Sequence, residues 1–180
     1  MSKLINVPLQ VDGSIFKCIP RHHPGYIVIH AEEIDEDTSL QFETAFRKLE
    51  ANPTLDSILI SIHSTGGCVY SALKIVDLMK NSEKHIITCC SGASMSAAAL
   101  IFSQGDTRFM SEYSTIMIHD AASVMEGRLN DVEVEAVELR RLTETCYEMM
   151  SKNIGKNAKF FQNRMSKKNT DTYLNAEQAR

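Results

Sequence analysis

Short β-branched runs alternate with segments of helical period from Tyr26 to Phe102, and this alternation constrains the fold more than any other feature of the chain. Tyr26-Ile27-Val28-Ile29-His30 reads as a first core strand. Thr38-Ser39-Leu40-Gln41 has the capping-box spacing and opens a helix with Phe42, Ala45, Phe46 and Leu49 on one face. Asn52-Pro53 ends that helix. Ser57-Ile58-Leu59-Ile60-Ser61-Ile62 is a second apolar strand, and a helix with Val69, Leu73, Val76 and Met79 on one face follows it. His85-Ile86-Ile87-Thr88-Cys89-Cys90 leads into an alanine-rich helix expected from about Ser94 to Phe102. Ser114-Thr115-Ile116-Met117-Ile118 is a further buried strand, with His119-Asp120 at its end. Strands that alternate with helices imply an α/β fold of mostly parallel strands joined by right-handed crossovers. In such sheets the reactive groups gather just past the C-terminal ends of the strands.

Ser94, Gly67 and His119 all fall at such ends. Ser94 stands at the expected start of a helix, where unpaired N–H groups favour negative charge. The small residues around it let a substrate backbone come close. A serine there is either an ordinary N-cap or a nucleophile, and only a neighbouring base and oxyanion hole separate the two. Gly66-Gly67 lies between strand and helix and can aim a backbone N–H into a site, although a plain tight turn has the same sequence. His119 can exchange a proton near neutral pH, or it can be a satisfied surface histidine. Of the other histidines, His63 beside the Gly-Gly turn is placed to border a substrate groove. Asp171 can orient a histidine, but taken alone it reads as a turn or cap aspartate.

The remaining composition narrows the function classes. A chain of 180 residues is long enough for one domain with a proper core. Its net charge of -4 and the lack of a basic stripe argue against nucleic-acid binding as a main role. It has no apolar stretch long enough to span a membrane, and Met1-Ser2-Lys3-Leu4 does not begin a signal peptide, so a cytoplasmic location is expected. The five cysteines match neither a zinc site nor a disulfide framework, and Cys89-Cys90 reads as a pair of buried small hydrophobes. No metal or cofactor is expected. Gly13, Pro20, Pro24 and Gly25 break residues 1–25 into an N-terminal arm ahead of a domain over 26–180. A long helix is expected over about 128–152, with Leu129, Val132, Ala136, Leu139, Leu142, Cys146 and Met149 or Met150 as its apolar stripe. Part of that stripe is expected in the core and part against another subunit.

Taken in order, these segments resemble the proteolytic subunit of the Clp protease family. Gly92-Ala93-Ser94-Met95-Ser96 is similar to the family's nucleophile turn, Ser64-Thr65-Gly66-Gly67 to its Ser-Pro-Gly-Gly turn, and Met117-Ile118-His119 to its Met-Ile-His strand end. Gly127 to Leu139 resembles the start of its handle helix. Asp171, Tyr173, Leu174, Asn175, Ala176 and Glu177 match its last motif. The resemblance implies the Clp/crotonase-like repeated β-β-α superhelix with a protruding handle helix. It implies peptide hydrolysis through an acyl-enzyme, with Ser94 as nucleophile, His119 as general base and then acid, Asp171 as its orienting carboxylate, and the N–H groups of Gly67 and Met95 as oxyanion hole. It further implies a homo-oligomer in the form of a double heptameric ring, an AAA+ unfoldase ATPase as partner, and unfolded proteins or peptides as substrates. Thr65 replaces the family's proline, Ser96 stands where Gly or Ala is usual, and Asp120-Ala121 replaces Gln-Pro.

Two other functions fit part of this pattern. A crotonase-type acyl-CoA enzyme shares the fold and a glycine-containing oxyanion hole but has no need of Ser94, His119 and Asp171 together. A catalytically silent ring subunit would usually have lost one of the three.

Overall fold

The computed structural model describes residues 23–165 and 171–179. The expected arm over residues 1–25 therefore lies almost wholly outside the described residues. The elements in chain order are β1 (Tyr26–His30), α1 (Glu36–Glu50), β2 (Ser57–Ser64), α2 (Val69–Lys80), β3 (His85–Met95), α3 (Ala97–Ser103), β4 (Thr107–Met110), β5 (Thr115–Ile118), α4 (Leu129–Asn153), α5 (Phe160–Met165) and β6 (Thr172–Leu174).

The sheet order is β1-β2-β3-β5-β6, with β4 also paired to β3. The β1–β2, β2–β3, β3–β4 and β3–β5 pairs are all parallel, as the strand–helix alternation requires. Ile58, Leu59, Ile60 and Ile62 of β2 are fully buried, so this strand is covered on both faces and carries a continuous apolar run. Ile75 and Val76 of α2 and Ile101 of α3 complete the centre of the core.

Two helix starts differ from the expectation. The capping box at Thr38 does not form. Asp35 caps α1 instead, its carboxylate accepting from Thr38 N at 2.7 Å, and Thr38 sits inside the first turn. Asp35 wins because an ionised acceptor makes the stronger bond to an N-terminal N–H. The second difference is at Ser94. The extended chain continues through Met95, and α3 begins only at Ala97. Gly92 lies within β3 and kinks it. It has a φ of 97° and lets His63 lie against it, since a Cβ there would stand 2.5 Å from the His63 ring. Before the kink β3 pairs with β4 through Cys90, and after it β3 pairs with β5 from Ala93 to Met95.

Of the described residues, those up to Met117 and from Tyr173 onward form one compact unit, and Ile118–Thr172 form a second. Within the second, α4 matches the expected long helix to within a residue at each end. Its buried residues are Leu142, Tyr147, Met150 and Ser151, all in the C-terminal half. Leu129, Val134 and Val137 in the N-terminal half remain about 70% exposed, at 73%, 71% and 68%. Of the expected stripe, Leu142 and Met150 are buried while Leu129 and Ala136 are exposed, so it is core over only part of its length. Among the described residues, no helix is long and apolar enough to cross a membrane.

Candidate active site

Ser94 lies inside β3, paired in register with Ser64 of β2 on one side and Ile116 of β5 on the other. It is fully buried, and its Oγ donates to the Ala98 carbonyl at 2.9 Å. Met95 ends β3 opposite Met117.

The chain turns at the next residue. Ser96 has φ 52° and ψ -122°, and it is the only non-glycine residue with positive φ among the described residues. For a residue with a Cβ this conformation costs about 1–3 kcal/mol and persists only where the surroundings impose it. Here a strand ladder ends at Met95 and a helix starts at Ala97, and Ser96 N donates to the Met117 carbonyl at 2.9 Å. Ser96 is the N-cap of α3, yet its side chain makes no capping bond to the helix. It is partly exposed, in contrast to Ser94. A partly exposed serine on a strained strand-to-helix turn shares the backbone arrangement of a nucleophile elbow.

The Gly66-Gly67 turn presses against this elbow. Gly66 has φ 111°, and a Cβ on it would stand 2.6 Å from Ser96 Cβ, 2.8 Å from Met95 O and 3.2 Å from Ala97 N. Only glycine permits that approach. Gly67, with φ 138°, bridges to Ile34, whose N donates to Gly66 O and whose carbonyl accepts from Cys68 N at 2.7 Å. Gly66 N donates to Ser64 Oγ at 3.2 Å, and Thr65 Oγ1 donates to the Glu32 carbonyl. Thr65 therefore fixes the turn through its side chain, in place of the ring constraint a proline would supply.

In the second unit His119 follows directly on β5. Its Nδ1 stands 3.6 Å from Asp171 Oδ1, with the two side chains 28% and 49% exposed. That is ion-pair distance rather than a hydrogen bond. A carboxylate addressed to Nδ1 directs proton exchange to Nε2. The segment after His119 is tied to α4 at two points. Tyr147 Oη donates to Asp120 Oδ1 at 2.6 Å, and Ala121 N donates to Thr143 Oγ1 at 3.0 Å. Burial, followed by the adjacent Asp120 carboxylate, pushes the Tyr147 phenol above its ordinary range.

The other candidates have plainer environments. His63 Nδ1 accepts from Ala93 N at 3.1 Å, and its ring meets His30 edge-on at 4.9 Å, so its role here is to shape the β3 kink. Cys89 and Cys90 are buried as expected, and burial pushes the Cys90 thiol up to about 12, which keeps it protonated and unreactive. Among the described residues, no three His, Cys, Asp or Glu side chains gather as a metal site needs. Neither Ser94 nor Ser96 carries a local mark in the sequence of where the strand ends. The pairing of Ala93 to Met95 with β5, a long-range contact, decides it.

The comparisons with known proteins agree with this architecture. The family model described as Clp protease matches residues 15–180. An ATP-dependent Clp protease proteolytic subunit of Porphyromonas gingivalis is 30% identical over 132 residues, which is 72% of this chain and 60% of that protein. The chain thus matches three fifths of that relative's length. With the family match running over nearly its whole length, on a mixed α/β framework of mostly parallel strands, this chain belongs to the Clp protease family.

Proposed function

We propose that the chain is a serine endopeptidase subunit that hydrolyses unfolded proteins or peptides inside an oligomeric chamber. The observation that carries this reading is the strained serine elbow at the β3–α3 junction, backed by a glycine turn that no other residue type would allow. A serine of this junction is the nucleophile. His119 takes its proton and later gives it to the leaving amine, and Asp171 holds the imidazole by facing Nδ1. The oxyanion hole is the N–H of Gly67 with the N–H of the residue that follows the nucleophile. Water then attacks the acyl-enzyme ester with His119 again as base.

Assembly belongs to the same proposal. The apolar residues that α4 leaves exposed, Leu129, Val134 and Val137, are what a subunit interface would cover. A double heptameric ring and an AAA+ ATPase that feeds it come from the family resemblance. The relative's description as ATP-dependent supports the ATPase. The crotonase-type and silent-subunit readings are disfavoured because neither needs a strained serine elbow together with a carboxylate-paired histidine.

The test is hydrolysis of a fluorogenic peptide by the purified full chain, with the oligomeric state measured in the same samples. His119→Ala is expected to lower kcat by about a thousandfold or more, and Asp171→Asn by a smaller factor. Hydrolysis that survives His119→Ala unchanged would overturn the mechanism.

A further inference from the structure

The two serines of the β3–α3 junction occupy different environments. We propose that Ser96, not Ser94, is the nucleophile, and that Ser94 is a positioning residue that braces the elbow on which Ser96 sits. This inference rests on the serine-peptidase reading given above.

Three observations separate the two residues. First, Ser94 is fully buried inside a strand with paired neighbours on both sides, and its hydroxyl proton is committed to Ala98 O at 2.9 Å. A nucleophilic attack from there would have to break that bond and bring a substrate carbonyl into the packed sheet. Ser96 is partly exposed and spends no side-chain bond on capping α3. Second, the backbone strain falls on Ser96 alone among the described non-glycine residues. A strained non-glycine conformation that persists where glycine would be free of cost points to a side chain needed at that spot. Third, Gly66 lies against Ser96, the Met95 carbonyl and the N–H that follows Ser96. The position a Gly66 side chain would take lies 2.6 Å from Ser96 Cβ and 3.2 Å from Ala97 N. Ala97 N–H, in the first residue of α3, has no acceptor within the helix. It therefore takes the oxyanion role that the resemblance gave to Met95, alongside Gly67.

The Ser94 hydrogen bond spans the elbow from the last turn of the strand to the first turn of α3. It ties the two ends that impose the strained φ on the residue between them. In the reaction the Ser96 Oγ–C bond forms at the substrate carbonyl while the hydroxyl proton passes to the general base. The C–N bond then breaks as the amine takes that proton, and water cleaves the ester to restore the hydroxyl.

The experiment is labelling of the full-length oligomer with a fluorophosphonate, in which serine Oγ displaces fluoride at phosphorus. Both serines fall in the tryptic peptide between Lys84 and Arg108, so fragment ions must assign the adduct. The adduct is expected on Ser96, and Ser96→Ala should lose both label and peptidase activity. Ser96→Gly should be equally inactive, with a melting temperature no lower than wild type, because glycine adopts this φ without strain. Ser94→Ala should keep the label on Ser96 while kcat falls about three- to tenfold at unchanged KM, the effect of losing one hydrogen bond that orients the nucleophile. An adduct on Ser94, or full peptidase activity in Ser96→Ala, would overturn the assignment and leave the serine-peptidase reading intact. Absence of any adduct on assembled wild type would sink both.

Discussion

At the scale of single residues, close approach decides what each position tolerates. Gly66→Ala would set a Cβ 2.6 Å from Ser96 Cβ at a φ of 111°, so either the turn or the elbow must move. We expect peptidase activity to fall at least about a hundredfold, the scale of losing one oxyanion donor, while far-ultraviolet circular dichroism stays that of the wild type. The cysteines give a second, cheaper check. Burial holds the Cys90 thiol at about 12 and the Cys146 thiol at about 11, so at pH 8 both are almost wholly protonated, whereas Cys68 is exposed. Iodoacetamide at that pH should alkylate Cys68 and leave Cys90 and Cys146 unmodified in the native protein, as read by peptide mass spectrometry. Alkylation of Cys90 at a rate equal to Cys68 would contradict the packing of β3. The identity of each such residue is legible in the sequence. Its environment is not, because burial is set by neighbours distant along the chain.

At the scale of elements, the caps and ties carry the argument. The Thr38 N–H bond to Asp35, with a smaller contribution from the Thr38 side chain, holds the Asp35 carboxyl below its usual range. A depressed folded value means the cap stabilises the protein above the unfolded carboxylate range, and its contribution is lost as pH falls through the folded value. Asp35→Ala should therefore lower the melting temperature at neutral pH, and its difference from wild type should shrink on acidification. A pH-independent difference would mean that the carboxylate charge plays no part. The ties from α4 to the residues after His119 make another prediction. Tyr147→Phe removes the bond to Asp120 and should cost about 0.5–1.5 kcal/mol, nearer the lower figure because Asp120 is exposed and can return to water. Because Asp120 adjoins His119, kcat should fall severalfold with KM unchanged, as measured on the fluorogenic peptide. Equal kcat in Tyr147→Phe would show that this tie does not position the histidine. The sequence carried β1, β2, α2 and the length of α4 correctly, since each is written in local periodicity. It misplaced the starts of α1 and α3, because competing caps and a kinked strand are resolved by tertiary partners.

At the scale of the whole molecule, the apolar residues exposed on α4 bear on assembly. Val134→Asp together with Val137→Asp should shift the protein to smaller species in light scattering while helix content is kept, because both residues are exposed in the single chain. An unchanged mass would remove α4 from the interface. The amino-acid order by itself determined the α/β class, the parallel crossovers, the family and the positions of the glycine turn, His119 and Asp171. These depend on periodicity and on residue types that few other patterns supply. Only the tertiary structure decided that the strand runs past Ser94, that the strain falls on Ser96, and that half of α4 stays uncovered. The physical reason is the same in each case. A strand ends where its ladder partners end, and an apolar face is core only where something packs on it, and both are set by residues far away along the chain.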